Sequence, residues 1–318
     1  MNFVKPAFFV CILALLTETA SAASLLTQVN LRYVASSNPS FNFVPAKNSA
    51  SLQNKNSVFS FLPGSRKCSY NNILIWLNAR AIRKTKQWSI ARGDEIKTVN
   101  SLFQQHTVLK GKQIKTVVLD PGHGGDDSGA IGHRRVYEKK VVLDIARRVK
   151  RKLKSSSIRV LLTRDWDIYL ELSQRTKFAN RQKADLFVSI HANAATSRIA
   201  SGIETYVMTV PGFPSTSSKL PNTKTYPGNK NDEANMILAY CIQKSMLAQT
   251  GAIDRGIKHA RFAVLRETHC PAVLTECGFV SNATEETKMI KAEYRDSIAE
   301  GIAQGIRLYI LKTDTANR

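Results

Sequence analysis

The chain has 318 residues, room for one domain of about 200 residues and a smaller one, and its 43% apolar content supports a packed core. Lys and Arg number 46 against 24 Asp and Glu, a net charge of +22. That surplus selects anionic partners, whether nucleic acid, a membrane surface or an anionic polymer, and says little about fold.

Lys5 precedes the apolar run Phe8–Leu16, and Ala20-Ser21-Ala22 follows as a small-x-small cleavage site. This is the pattern of a secretory signal peptide over residues 1–22, and the run is too short to span a membrane comfortably. No later stretch is long and apolar enough to cross one. The reading is export to the periplasm, which turns the basic surface toward an anionic target outside the cytoplasm and away from nucleic acid. Cys68, Cys241, Cys270 and Cys277 remain, too few for a disulfide framework. Cys270 and Cys277 are able to pair, but buried thiols are the favoured reading.

Residues 23–112 are rich in Ser, Asn and Lys and carry 13 Lys and Arg against 2 Asp and Glu, a net of +11. Val29–Val34 alternates with period two; Phe41–Val44 and Val58–Leu62 do so in part. Pro63-Gly64 reads as a turn and Ile73–Leu77 as a more buried strand. Short strands separated by turns predict a small, all-β domain. Residues from about Lys84 to Gln113 give mixed signals and read as its linker.

From Ile114 strands and helices alternate. Strands are expected at 115–120, 158–163, 185–190 and 203–208, and helices at 138–153 and 171–183. The Pro-, Ser- and Thr-rich stretch 211–231 reads as a long loop. A helix over 232–249 follows, ending near Gly251. Strands at Ala263–Leu265 and Ala272–Thr275 and a helix over 295–311 complete the series. The alternation predicts an α/β domain over 113–318, with a mostly parallel sheet flanked by helices.

Ligands bind such sheets beyond the carboxyl ends of the strands. The first strand ends in Asp120-Pro121-Gly122-His123-Gly124-Gly125, the third in Ser189-Ile190-His191-Ala192-Asn193, and a late one in Thr275-Glu276-Cys277-Gly278. Glu138 opens the first helix. Two imidazoles and a carboxylate match a catalytic zinc site, which keeps one position open for water. A further carboxylate, Glu276, suits proton transfer. A lone histidine after a strand is more often a packing residue; two, each following its own strand, point to a site. His133, in the loop between His123 and Glu138, is the rival ligand. No G-x-S-x-G elbow or phosphate-binding loop is present.

Taken together, these blocks resemble the zinc-dependent N-acetylmuramoyl-L-alanine amidases of the AmiA, AmiB and AmiC type. They include Val118–Gly125, Glu138, Leu162-Thr163-Arg164-Asp165, Arg175–Asn180, Ser189–Asn193, Gly202–Tyr206, Phe262–Arg266 and Thr275–Asn282, in family order over about residues 114–312. The resemblance implies His123, Glu138 and His191 as ligands of Zn2+ and Glu276 as the catalytic carboxylate. It implies peptidoglycan as substrate and hydrolysis of the amide between N-acetylmuramic acid and L-alanine, in cell separation or wall remodelling. It gives Asp120 and Asn193 supporting roles, with the same default for Arg164, Arg175 and Glu204. Cys277, beside Glu276, suggests a modest sensitivity to oxidation. The N-terminal region resembles the wall-targeting domain called AMIN that precedes some periplasmic amidases.

One departure stands out. Relatives of this group often carry an inhibitory helix over the zinc, released by a divisome-linked activator. Here residues 209–231 contain Pro211, Pro214, Pro221 and Pro227 and cannot form a long helix. Glu233 is the acidic residue near the end of that stretch that could cap the metal. Activity without an activator is the expectation. The competing readings are a non-catalytic wall binder, a zinc peptidase cutting within the stem peptide, and a basic nucleic-acid binder.

Overall fold

The computed structural model describes residues 21–38, 40–154, 157–216 and 218–318. Residues 1–20, which hold most of the expected signal peptide, lie outside them.

An 11-stranded sheet organises the chain. Five strands come from the N-terminal third: β1 (Asn42–Pro45), β2 (Ala50–Gln53), β3 (Val58–Phe61), β4 (Lys67–Tyr70) and β5 (Ile73–Trp76). Six follow: β6 (Thr116–Pro121), β7 (Arg159–Leu162), β8 (Leu186–Asn193), β9 (Ile203–Met208), β10 (Asp254–Ala260) and β11 (Ala272–Phe279). Their order across the sheet is β7-β6-β8-β11-β9-β10-β5-β4-β3-β2-β1.

The expected mostly parallel sheet is corrected to a mixed one. The pairs β7/β6, β6/β8, β8/β11, β9/β10 and β10/β5 are parallel, but β11/β9 and all four pairs from β5 to β1 are antiparallel. The N-terminal strands are joined by connections too short for a crossover helix, so they run antiparallel. They also extend the sheet that carries the candidate site. Leu74 N donates to Asp254 Oδ2 (2.7 Å) and Trp76 Nε1 to Arg255 O (2.9 Å) at that seam.

Helices cover both faces. On one face lie α1 (Glu138–Lys152), α3 (Asp232–Thr250), the short α4 (Ala283–Ile290) and α5 (Ala292–Ala316), in one core with Val117, Leu119, Val188, Ile190, Phe59 and Ile75. α1 turns Val142, Ile145, Ala146 and Val149 to this core and ends in Lys150-Arg151-Lys152, which complement the negative end of its dipole. α3 is apolar nearly all round because the sheet and α5 bury it from two sides. The two helices approach closely because a Cβ at Gly301 or Gly305 would stand 2.5 Å from Met246 Cα or Ile242 Cα. The other face carries α2 (Leu172–Arg181) and the turn Ala263–Arg266 against Val118, Phe187, Tyr206 and Leu274. Beyond β10 that face is open and polar, with Trp76, Ser69, Ser60 and Ser51 half-buried and Lys67 exposed.

Several local expectations change. Val29–Val34 is not one strand: Gln28–Asn30 pairs with Gln87–Ala91, then Asn30 caps a helix over Leu31–Ser36. The stretch read as a linker is folded, with a strand at Gln87–Ala91 and helical turns through 92–109 that bury Val99, Leu102 and Leu109. So the N-terminal third has the expected strands but is not all-β. Ala263–Arg266 is helical, and the strand Asp254–Ala260 was not anticipated. Among the described residues, 209–231 form no long helix, only the strands Pro214–Ser215 and Ser218–Pro221 and a 3-10 turn at Pro227–Asn231.

Candidate active site

The strand ends converge. His123 lies just beyond β6, His191 near the end of β8, Glu276 within β11 and Glu138 on the first residue of α1. His191 and Glu276 are register partners on adjacent strands. Nitrogen and oxygen atoms of His123, Glu138 and His191 all lie within 4.8 Å of one another. Glu138 Oε1 is 3.2 Å from His123 Nε2 and 3.0 Å from His191 Nδ1. The carboxylate also accepts from Ala130 N (2.9 Å) and Ala192 N (3.0 Å). His133, the rival ligand, stays outside this group and contacts Arg198.

Buried polar contacts hold the loop that presents His123. Arg175 donates to Asp120 Oδ1 (2.9 Å), Pro121 O (2.8 Å) and His123 O (2.8 Å). Arg164 donates to Pro121 O (3.0 Å) and Gly122 O (2.6 Å). Asp120 also accepts from Thr163 and Ser189 hydroxyls. These bonds hold His123 at φ 60°, in the left-handed region. The roles expected for Asp120, Arg164 and Arg175 are thus structural. Gly122 is needed for space: a Cβ there would stand 2.5 Å from His191 Nε2.

Asp127 was missed. Its Oδ2 lies 2.8 Å from His123 Nδ1, fixing the ring and leaving Nε2 directed at the ligand cluster. An acidic residue four places after a candidate ligand histidine is the signal that would have found it.

The charges are polarised. Burial pushes Glu138 up, but the hydrogen bonds and charges of the two histidines outweigh it and hold the carboxyl well below the usual range. For His123, burial pulls the pKa down, and Glu138 and Asp127 more than reverse this. Glu276 goes the other way. Burial first, then the charges of Glu138 and Glu204, push it well above the carboxylate range, with Lys258 acting against them. Its Oε2 is sealed from solvent with no hydrogen-bond partner. Glu204, its register partner on β9, accepts from Asn193 (2.9 Å), Tyr206 (2.6 Å), Arg255 (2.7 Å) and Lys258. A cavity of about 440 Å³ joins His123, His191 and Glu276, with Tyr169, Leu172 and Phe262 as apolar walls.

Residues 117–308 match the family described as N-acetylmuramoyl-L-alanine amidase. The chain belongs to the N-acetylmuramoyl-L-alanine amidase family. Among its relatives, AmiC of Escherichia coli is 36% identical over 226 residues, covering 64% of this chain and 54% of that protein. LytC of Bacillus subtilis is 39% identical over 195 residues, covering 61% of this chain and 35% of that protein. This amidase-family chain therefore spans about half the length, or less, of these curated relatives. The solved catalytic domain of CwlV, an N-acetylmuramoyl-L-alanine amidase from Bacillus (Paenibacillus) polymyxa, is 40% identical. It superposes with a TM-score of 0.53 over 62% of this chain and 98% of that domain.

The four cysteines among the described residues, Cys277 included, are free and buried. Burial and the Glu276 charge push the Cys277 thiol far up, so the expected sensitivity to oxidation has no support. Glu233 is bound to Lys97 Nζ (2.8 Å) and does not line the cavity. No helix among the described residues is long and apolar enough to cross a membrane.

Proposed function

We propose that this protein is a zinc-dependent amidase that hydrolyses the bond between N-acetylmuramic acid and L-alanine in peptidoglycan. The observation that carries the reading is the convergence of His123, Glu138 and His191 beside Glu276 Oε2, a buried carboxylate oxygen with no partner. The donor set fits a metal: two imidazoles and one carboxylate suit Zn2+, and three protein ligands leave a position open. Bound there, zinc would supply Lewis acidity and an activated water.

The chain's own groups do the rest. Asp127 holds the His123 ring in its orientation, and Glu138 takes two backbone N–H bonds that fix its carboxylate. Glu276 accepts the proton of the attacking water and delivers it to the departing alanine nitrogen, so one O–H and one C–N bond break as C–O and N–H form. The high pKa of Glu276 reflects its burial first and then its carboxylate neighbours, and a divalent cation beside them would oppose that push. Tyr169, Leu172 and Phe262 give the substrate apolar walls to lie against.

The basic surface suits an anionic wall, and the apolar run Phe8–Leu16 supports export to the periplasm. The N-terminal region, residues 23–112, then serves as a wall-contacting extension of the catalytic part, 113–318. With no long helix over the cavity among the described residues of 209–231, the enzyme should work without an activator, although relatives can bind partners: CwlD of Clostridioides difficile is solved in complex with the GerS lipoprotein.

The test is mass spectrometry of products from purified peptidoglycan, using residues 23–318 with zinc, with chelator, and as Glu276→Ala. Intact stem peptides released only with zinc and Glu276 are expected. Fragments cut within the stem would make it a peptidase. A protein that pellets with the wall and releases nothing, with or without partners, would be a binder.

A further inference from the structure

A second cavity, of about 390 Å³, lies at the seam where β5 joins β10. Arg66, Trp76, Ser215, Thr216 and Lys258 line it together with Pro214. None of these is acidic. Lys258 Nζ pairs with Glu204 and sits 6.0 Å from the Trp76 ring centre and 5.8 Å from that of Tyr206. Tyr206 in turn packs on Phe262 (5.1 Å between centroids), which walls the catalytic cavity. The two cavities therefore open on the same sheet face, with Tyr206 and Phe262 as the ridge between them.

The cations exceed their local partners. Glu204 is matched by both Arg255 and Lys258. Arg66 gives its Nε to Leu77 O (2.6 Å) and, among the described residues, forms no salt bridge. An indole beside two cations suits a short apolar stretch ending in a carboxylate.

Spacing decides which carboxylate. From Glu276 on β11 the path to Trp76 crosses β9, β10 and β5, three steps of roughly 4.8 Å. Adding the two-residue offset along the strands gives about 16 Å, the span of about four to five extended residues. Resting on the amidase reading above, we propose that this seam cavity is a substrate subsite that takes the free carboxylate end of the stem peptide, about four residues from the scissile amide. The N-terminal strands then contribute directly to substrate selection, through Arg66 and Trp76.

The experiment is calorimetric binding of the stem tetrapeptide, as free acid and as C-terminal carboxamide, to residues 23–318. The acid should bind about tenfold tighter than the amide. Arg66→Met should abolish that difference, and Arg66→Lys should keep most of it. Equal affinity of acid and amide for the unmodified chain would overturn the proposal, and that comparison needs no variant to fold. So would an undiminished preference in Arg66→Met. Product release from peptidoglycan judges the amidase reading separately: a normal turnover with equal affinities sinks the subsite alone.

Discussion

Replacing Gly122 by alanine perturbs the candidate centre through one methyl group. The added Cβ would stand 2.5 Å from His191 Nε2 and 2.7 Å from Nδ1, where ordinary contact begins at 3.4 Å. The ring must therefore retreat by at least 3.4 − 2.5 = 0.9 Å. The φ of Gly122 is not left-handed, so the backbone itself accepts alanine. Any such shift of His191 disturbs its 3.0 Å contact with Glu138, which is itself tied to Ala130 N and Ala192 N. A misplacement of about 1 Å at a reacting centre costs roughly 100-fold in rate, equivalent to about 2.7 kcal/mol. Zinc affinity should fall by about 10- to 100-fold, as for other changes that disturb ligand orientation. The assays are zinc titration by calorimetry and stem-peptide release, with melting of the metal-free protein as the check on folding. A variant that melts normally and keeps both zinc affinity and turnover within about twofold would refute the argument that Gly122 seats the ring.

Three further outcomes follow from buried groups. Arg175→Met leaves the Asp120 charge buried without its ion partner, since the two side chains are only 3% and 1% exposed. The loss should be about 3–5 kcal/mol, seen as a melting point roughly 5–8 °C lower, and a fall under 2 °C would contradict it. Burial raises Asp232 from 3.8 to about 7, with Lys97 and Asn229 acting against it. With the folded-state pKa raised, its stabilising contribution is complete below pH 3.8 and is lost as pH climbs through about 7. Asp232→Asn should therefore gain on the unmodified protein between pH 4 and pH 8 in melting experiments, and parallel profiles would count against the assignment. Burial also raises Cys241 and Cys270 to about 12. Iodoacetamide at pH 8 should leave the native protein over residues 23–318 unlabelled and modify all four thiols after denaturation; rapid labelling of one native thiol would show that its shell opens.

The sequence made the centre legible because its residues sit at strand ends beside glycines. His123, His191 and Glu276 each follow an apolar, β-branched run, and Glu138 opens a helix with a clear apolar stripe. Asp127 escaped because its role depends on the turn made by the glycine-rich loop. The strand Asp254–Ala260 escaped because Asp-Arg-Gly-Ile-Lys-His-Ala has almost no apolar pattern; pairing on both sides makes it a strand. Ala263-Val264-Leu265 is too short for periodicity to separate strand from helix. In the stretch taken for a linker, Val99 and Leu102 stand three apart, a helical spacing diluted by polar neighbours. The antiparallel pairs β1 to β5 follow from short connections, whereas the reversal between β11 and β9 escaped because local sequence does not encode strand direction once connections are long.

The seam between β5 and β10 has a consequence for how the molecule is made. Leu74 and its partner Asp254 are 180 positions apart. The hairpins β1–β5 pair locally and can form as soon as they leave the ribosome. Their apolar face, with Leu52, Phe59, Phe61 and Ile75, is covered in part by Phe103 and its neighbours from the same third, and its cover is completed only when α3 and α5 arrive from the far end of the chain. Until then the rest of that face is an adhesive surface, so the newly made N-terminal third is the segment most exposed to aggregation during refolding.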